Sequence, residues 1–81
     1  MTNMKNHFIL MNPDDKKLLS GMMGDGMYFF MTDQNESNLT NTLLFNDEVY
    51  QDILMTESGN IEDQCSIQFR ELVKVYITLN L

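Results

Sequence analysis

Residues 65–81, CSIQFRELVKVYITLNL, constrain the fold more than any other stretch. Ile67, Phe69, Val73, Val75, Ile77, Leu79 and Leu81 all fall on odd positions, Glu71 alone breaks the run, and the even positions are mostly polar. Side chains of a strand point alternately to two faces, so period two reads as a half-buried strand. The run is far longer than a usual strand of ~5–6 residues. Cys65, Phe69, Leu72, Val73 and Tyr76 also suit a 3.6-residue period, so a helix over 63–72 followed by a shorter strand is a second reading. The pattern predicts β structure for 73–80 and leaves 64–72 open. A long strand rich in β-branched residues recruits another chain if its edge stays unpaired. Pairing with a symmetry mate through Val75, Ile77 and Leu79 is expected, which makes the chain a homodimer.

Size points the same way. With 81 residues the chain forms one domain, residues 1–81, whose core contributes little net stability. The usual supplements are missing. Cys65 is the single cysteine and has no intrachain disulfide partner, and one His with one Cys falls short of the four N/S ligands of a structural zinc site. Alanine, the best helix former, is absent, which tilts the fold toward strands.

Upstream, HFILM (7–11) reads as a short buried strand. In NPDDKK, Asn12 either caps a helix with Pro13 at its first position or begins a type I turn with Pro13 and Asp14 at its centre; the turn is the preferred reading. GMMGDGMYFFM (21–31) packs methionines and aromatics around Gly-Asp-Gly, which reads as the three-residue tip of a β-hairpin. It is no phosphate loop, since neither a Lys-Ser/Thr pair nor a helical pattern follows Gly26. Its soft side chains Met23, Met27, Tyr28 and Met31 are candidates for partner binding, mostly core with some spill to an interface. TDQNESN is a polar loop whose Asp33, Asn35 and Ser37 lack the Gly and the bidentate Glu of a calcium loop. LTNTLLF (39–45) suits a strand. The clearest helix spans 47–57, with Asn46 as cap, Asp47 and Glu48 in the first turn, an apolar stripe at Val49, Tyr50, Ile53 and Leu54, and Gly59 as a stop. The expected fold is therefore α+β, a small antiparallel sheet of four or five strands with one main helix near residues 47–57.

Charge restricts the partners. Twelve acidic residues against five basic ones give a net −7, which argues against direct nucleic-acid binding and against docking on anionic membranes. No apolar run is long enough to span a membrane and none resembles a signal peptide, so a cytoplasmic location is expected and the sequons at Asn35 and Asn38 are chance matches. An acidic domain is steered toward basic surfaces. Asp47, Glu48, Asp52, Glu57, Glu62 and Asp63 form the candidate acidic face for a protein partner with a basic or DNA-binding surface. No catalytic constellation is visible and no cofactor or metal is expected. His7 lies in a strand-like run, Arg70 is the one arginine, and acidic neighbours Glu62 and Asp63 raise the pKa of the Cys65 thiol, making it a poor nucleophile.

In size, charge and composition the whole chain resembles the small acidic proteins that phages use against bacterial defence, namely anti-restriction proteins, anti-CRISPR proteins and uracil-DNA glycosylase inhibitors. No motif carries the resemblance and no functional residue transfers with it. It implies a stoichiometric inhibitor of a host defence or DNA-processing complex of the restriction, BREX or CRISPR type; with the methionine and aromatic patch supplying hot spots, blocking of an interface is the expected mode. Two alternatives stand beside it. One is a DNA mimic whose carboxylates replace phosphates, and the other is a structural or antitoxin-like homo-oligomer.

Overall fold

A computed structural model describes residues 7–34 and 41–77 of the chain. Short polar side chains make the first reversal. Asn12 Oδ1 accepts from the Asp14 N–H at 2.9 Å, Asp15 Oδ1 accepts from the Lys17 N–H at 3.0 Å, and the Asn12 carbonyl accepts from the Lys16 N–H at 2.8 Å. Such local bonds offer the backbone a turn in place of a helix. The turn reading of 13–17 therefore holds, with Lys16 taking the left-handed conformation at φ 66°. It joins β1 (Phe8–Met11) to β2 (Leu18–Gly24), with Met11 opposite Leu18. Asp25 lies at the tip between β2 and β3 (Gly26–Thr32), where Gly24 faces Gly26 and Gly26 holds φ at 103°, a value that L side chains rarely adopt. This is the hairpin predicted from Gly-Asp-Gly.

The next segment, expected as a strand over 39–45, is something else. Residues 39 and 40 lie outside the described residues. Those from Asn41 to Phe45 form a wedge that bridges β2 at Ser20↔Thr42 and β1 at Phe8↔Phe45, antiparallel each time. Because β1 and β2 run antiparallel to each other, a segment antiparallel to both must turn between its two contacts, and it does so at Leu43 and Leu44. Gly21 is where it comes closest. The Gly21 N–H donates to the Asn41 carbonyl at 2.9 Å, and a Cβ on Gly21 would lie 2.8 Å from Met27 Cε and 3.3 Å from Leu43 Cδ2.

Helix α1 (Asp47–Thr56) starts where expected, with Asn46 Oδ1 accepting from the Val49 N–H at 2.8 Å and Asp47 and Glu48 in the first turn. It ends at Glu57, two residues before the Gly59 predicted to stop it. Gly59 instead lies in the first turn of a second helix, α2 (Ser58–Cys65), which Ser66 closes in the left-handed region at φ 58°. A 3-10 turn (Phe69–Glu71) leads to β4 (Val73–Tyr76). The open segment 64–72 thus contains the end of α2 and this turn, and the strand expected over 73–80 is found at 73–76, with 78–80 outside the described residues.

Together these elements give an α+β fold with a four-stranded antiparallel sheet in the order β3-β2-β1-β4. Phe8, Leu10, Leu19, Phe29, Phe45, Ile61, Phe69 and Leu72 form its core, with Tyr50, Ile53 and Leu54 of α1 packed against them. Aromatic rings meet there. Phe8 and Phe45 stack at 5.8 Å, Tyr50 and Phe69 lie 5.1 Å apart, and Tyr76 lies 5.2 Å from Phe8.

The approach of Leu43 and Met27 to Gly21 makes a prediction. Gly21→Val should lower unfolding free energy by about 1–3 kcal/mol through overpacking, whereas Gly24→Ala, whose Cβ meets nothing within 4 Å, should stay within about 0.5 kcal/mol of the parent. Urea titration of the two variants checks the contrast.

Candidate functional site

The hairpin register decides which apolar side chains can meet a partner. Met31, Phe29 and Met27 lie opposite Leu19, Gly21 and Met23, and Leu19 and Phe29 are in the core. These positions therefore face the helices, and Met27 and Met31 pack against the core as half-buried side chains. Strand alternation sends Leu18, Ser20 and Met22, with their partners Thr32, Phe30 and Tyr28, to the opposite face. Near the turn this face is closed. Leu18 and Ser20 are buried, and the Ser20 and Thr32 hydroxyls bond each other at 2.6 Å. Toward the tip it opens. Met22 is 47% and Tyr28 55% exposed, and Phe30 rests 5.8 Å from the Tyr28 ring.

Across the sheet the same face continues. Phe8 and Leu10 point into the core, so Ile9 and Met11 point away from it, and their partners Val75 and Val73 go with them. The helices cover one side of the sheet; on the other, Met22 and Tyr28 are exposed near the tip and Val73 at the far strand, with Leu18 and Ser20 buried between them.

The four hairpin residues predicted for partner binding are therefore divided. Met27 and Met31 face the core, Met23 stands at the tip with 78% exposure, and Tyr28 lies on the open face. Met22, Phe30 and Val73 complete that face and were missed. Counting alternate residues outward from the Gly-Asp-Gly tip pairs Met22 with Tyr28 and would have found Met22 and Phe30.

The acidic candidates are also divided. Asp47, Glu48 and Asp52 are exposed on α1, and Asp63 is exposed on α2. Glu57 is half-buried at the helix junction, where its Oε1 accepts from Asn60 Nδ2 at 3.2 Å. Glu62 Oε2 accepts from the Phe69 N–H at 3.4 Å. It joins Asn12, Asp14, Ser66, Gln68 and Glu71 around an open cleft. No group of three or more His, Cys, Asp or Glu side chains could hold a metal ion among the described residues.

Of the dimer candidates, Val75 is half-buried on the open face and Ile77 follows β4 with its N–H on the His7 carbonyl at 3.0 Å. Leu79 lies outside the described residues. His7 itself precedes β1, and its Nδ1 is buried without a hydrogen-bond partner among the described residues. The Cys65 thiol is pushed up from its ordinary pKa by burial. The direction is the one expected from sequence, but the cause is desolvation and not its acidic neighbours.

No protein-family model, no curated protein and no solved structure matches the chain.

Two predictions follow from the burial of these side chains. Met27→Lys places a charge against the core and should lower the thermal midpoint strongly, while Met23→Lys at the exposed tip should leave it nearly unchanged. The raised thiol of Cys65 favours the protonated form in the folded chain. Its contribution to stability is therefore full below the unfolded pKa and is lost as pH rises through the folded value. Iodoacetamide should accordingly alkylate native Cys65 more slowly than the urea-unfolded chain at pH 8, with the gap narrowing as pH rises further.

Proposed function

We propose that the protein is a non-enzymatic binding protein that inhibits a bacterial anti-phage defence or DNA-processing complex by blocking one of its interfaces. One observation carries this reading: a chain of net charge −7 exposes Met22 and Tyr28 on an apolar sheet face that its own helices do not cover. Exposed apolar patches on small proteins mark interaction surfaces. Aromatic and methionine side chains supply adaptable, energetically dominant contacts. The acidic surface speeds encounter with a basic, DNA-binding partner without having to supply the affinity. Size, charge and composition agree with the small acidic anti-defence proteins of phages, which act in the host cytoplasm. Among the described residues no helix is long and apolar enough to cross a membrane.

Phosphate mimicry is less well supported. Glu57 and Glu62 are turned to hydrogen-bond donors of the chain itself, and duplex DNA carries one charge per ~1.7 Å of axis, far denser than these helices display.

Affinity capture from bacterial lysate tests the proposal. The tagged chain should recover a restriction, modification or DNA-translocating complex at both low and high salt, and Tyr28→Lys combined with Met22→Lys should abolish recovery while leaving the circular dichroism spectrum unchanged. Capture that disappears at high salt and survives the double substitution would replace interface blocking by mimicry. Recovery of the chain alone from several hosts would instead favour a structural homo-oligomer.

A further inference from the structure

The two edges of the sheet are built differently, and the difference points to a second copy of this chain. At one edge stands β3. Its residues Phe30 and Tyr28 pair inward with β2, so the Phe29 N–H points outward. There Gln64 of α2 accepts that N–H through Oε1 at 2.6 Å. A side chain thus occupies the edge where an added strand would dock.

At the other edge stands β4. The Ile77 N–H donates to the His7 carbonyl, so backbone alternation turns Val75 and Val73 toward β1 and leaves the N–H and C=O groups of Lys74 and Tyr76 pointing outward. No described residue bonds these groups. The edge is guarded only lightly, by the shortness of a four-residue strand and by one lysine. VKVYI (73–77) contains no proline, and in a chain of net charge −7 it holds no carboxylate. Its one charge is turned aside, with Lys74 Nζ 4.4 Å from the Tyr50 ring centroid and 5.0 Å from that of Phe8, on the helix side of the sheet.

We propose that β4 pairs antiparallel with β4 of a second copy, about a two-fold axis passing between the two Val75 residues. In that register Lys74 lies opposite the partner's Tyr76 and Tyr76 lies opposite the partner's Lys74. The outward N–H and C=O of both residues on both strands are then satisfied. Val75 meets the partner's Val75 as a close, non-hydrogen-bonded pair on the apolar face. On the helix face Lys74 and the partner's Tyr76 become a cross-strand side-chain pair. Two four-stranded sheets become one, and their apolar faces become continuous. The pairing stands independently of the inhibitory function proposed above.

Sedimentation at tens of micromolar chain should give a dimer. Lys74→Pro removes an outward N–H and leaves the ladder to β1 untouched, so it should yield a folded monomer. Register is tested in a Cys65→Ser background. Under mild oxidation Val75→Cys should form a disulfide-linked dimer, whereas Val73→Cys, whose opposite position is the partner's Ile77, should not. A wild-type monomer at this concentration overturns the proposal, as does equal crosslinking of the two cysteine variants. Should Lys74→Pro fail to fold, the crosslinking contrast alone decides.

Discussion

Phe45 holds the fold together. Its backbone exchanges two hydrogen bonds with Phe8, at 2.9 and 2.8 Å, and its ring stacks on Phe8 with an interplanar angle of 11°. The need for this contact lies in β1, which has four residues and pairs with β2 only at Met11↔Leu18. Beyond that point the two strands diverge, and their facing backbone groups would lack partners in a region that excludes water. Unsatisfied buried amides of that kind cost about 1–3 kcal/mol each. The 41–45 wedge fills the gap, bonding β2 through Asn41 and Leu43 and β1 through Phe45. It then passes directly to Asn46, the cap of α1. The start of the helix is therefore fixed to the middle of the sheet, and the Phe45 ring brings Tyr50 and Phe69 into the same aromatic cluster.

A molecule with two unlike sides results. Both helices follow the wedge and settle on the face of Phe8, Leu10, Leu19 and Phe29. Their outer surfaces carry Asp47, Glu48, Asp52 and Asp63, together with the exposed side chains of Val49 and Met55. The helices settle on one face only, and among the described residues the second face buries Leu18 and Ser20 while Met22, Tyr28 and Val73 stay exposed.

Where structure follows from neighbouring residues, it was legible in the sequence. Asn46 capping α1, the Asn12–Lys17 turn and the Gly-Asp-Gly tip all depend on short polar or glycine residues acting over a few positions. Helix α2 was not legible. SGNIEDQC contains poor helix formers and one buried residue, Ile61, so its helicity comes from packing against β3 and from Gln64 reaching Phe29. The odd-position apolar residues over 65–71, where the sequence left strand and helix open, have a related cause. Phe69 enters the core from a 3-10 turn and Ile67 packs beside it, each buried by tertiary contacts that happen to fall on odd positions. The wedge read as a strand because Thr and Phe suit one, and only the divergence of β1 and β2 reveals that it bends. At the candidate site the composition of the hairpin showed a stretch rich in soft apolar side chains, but its division into an inner and an outer face is a property of register, which composition does not carry.

The carboxylates of the helices and the exposed apolar side chains of the sheet differ in what they already do for the fold. Asp47 and Glu48 oppose the positive end of the α1 dipole, Glu57 is bonded to Asn60, and Glu62 is aimed at the Phe69 N–H, so these carboxylates already serve the fold. Exposed charge acts over a Debye length of ~8 Å at physiological salt and accelerates approach, yet solvated carboxylates contribute little once contact is made. Met22 and Tyr28 differ in kind. Each is large, about half exposed, and displaced from the core by strand alternation that the Gly-Asp-Gly tip enforces. Burying them against another surface recovers the hydrophobic free energy that this small core leaves unused, on the order of 1.5–3 kcal/mol per large side chain. In the proposed binding mode the acidic helices set how fast a basic partner arrives, and Met22 and Tyr28 set how long it stays.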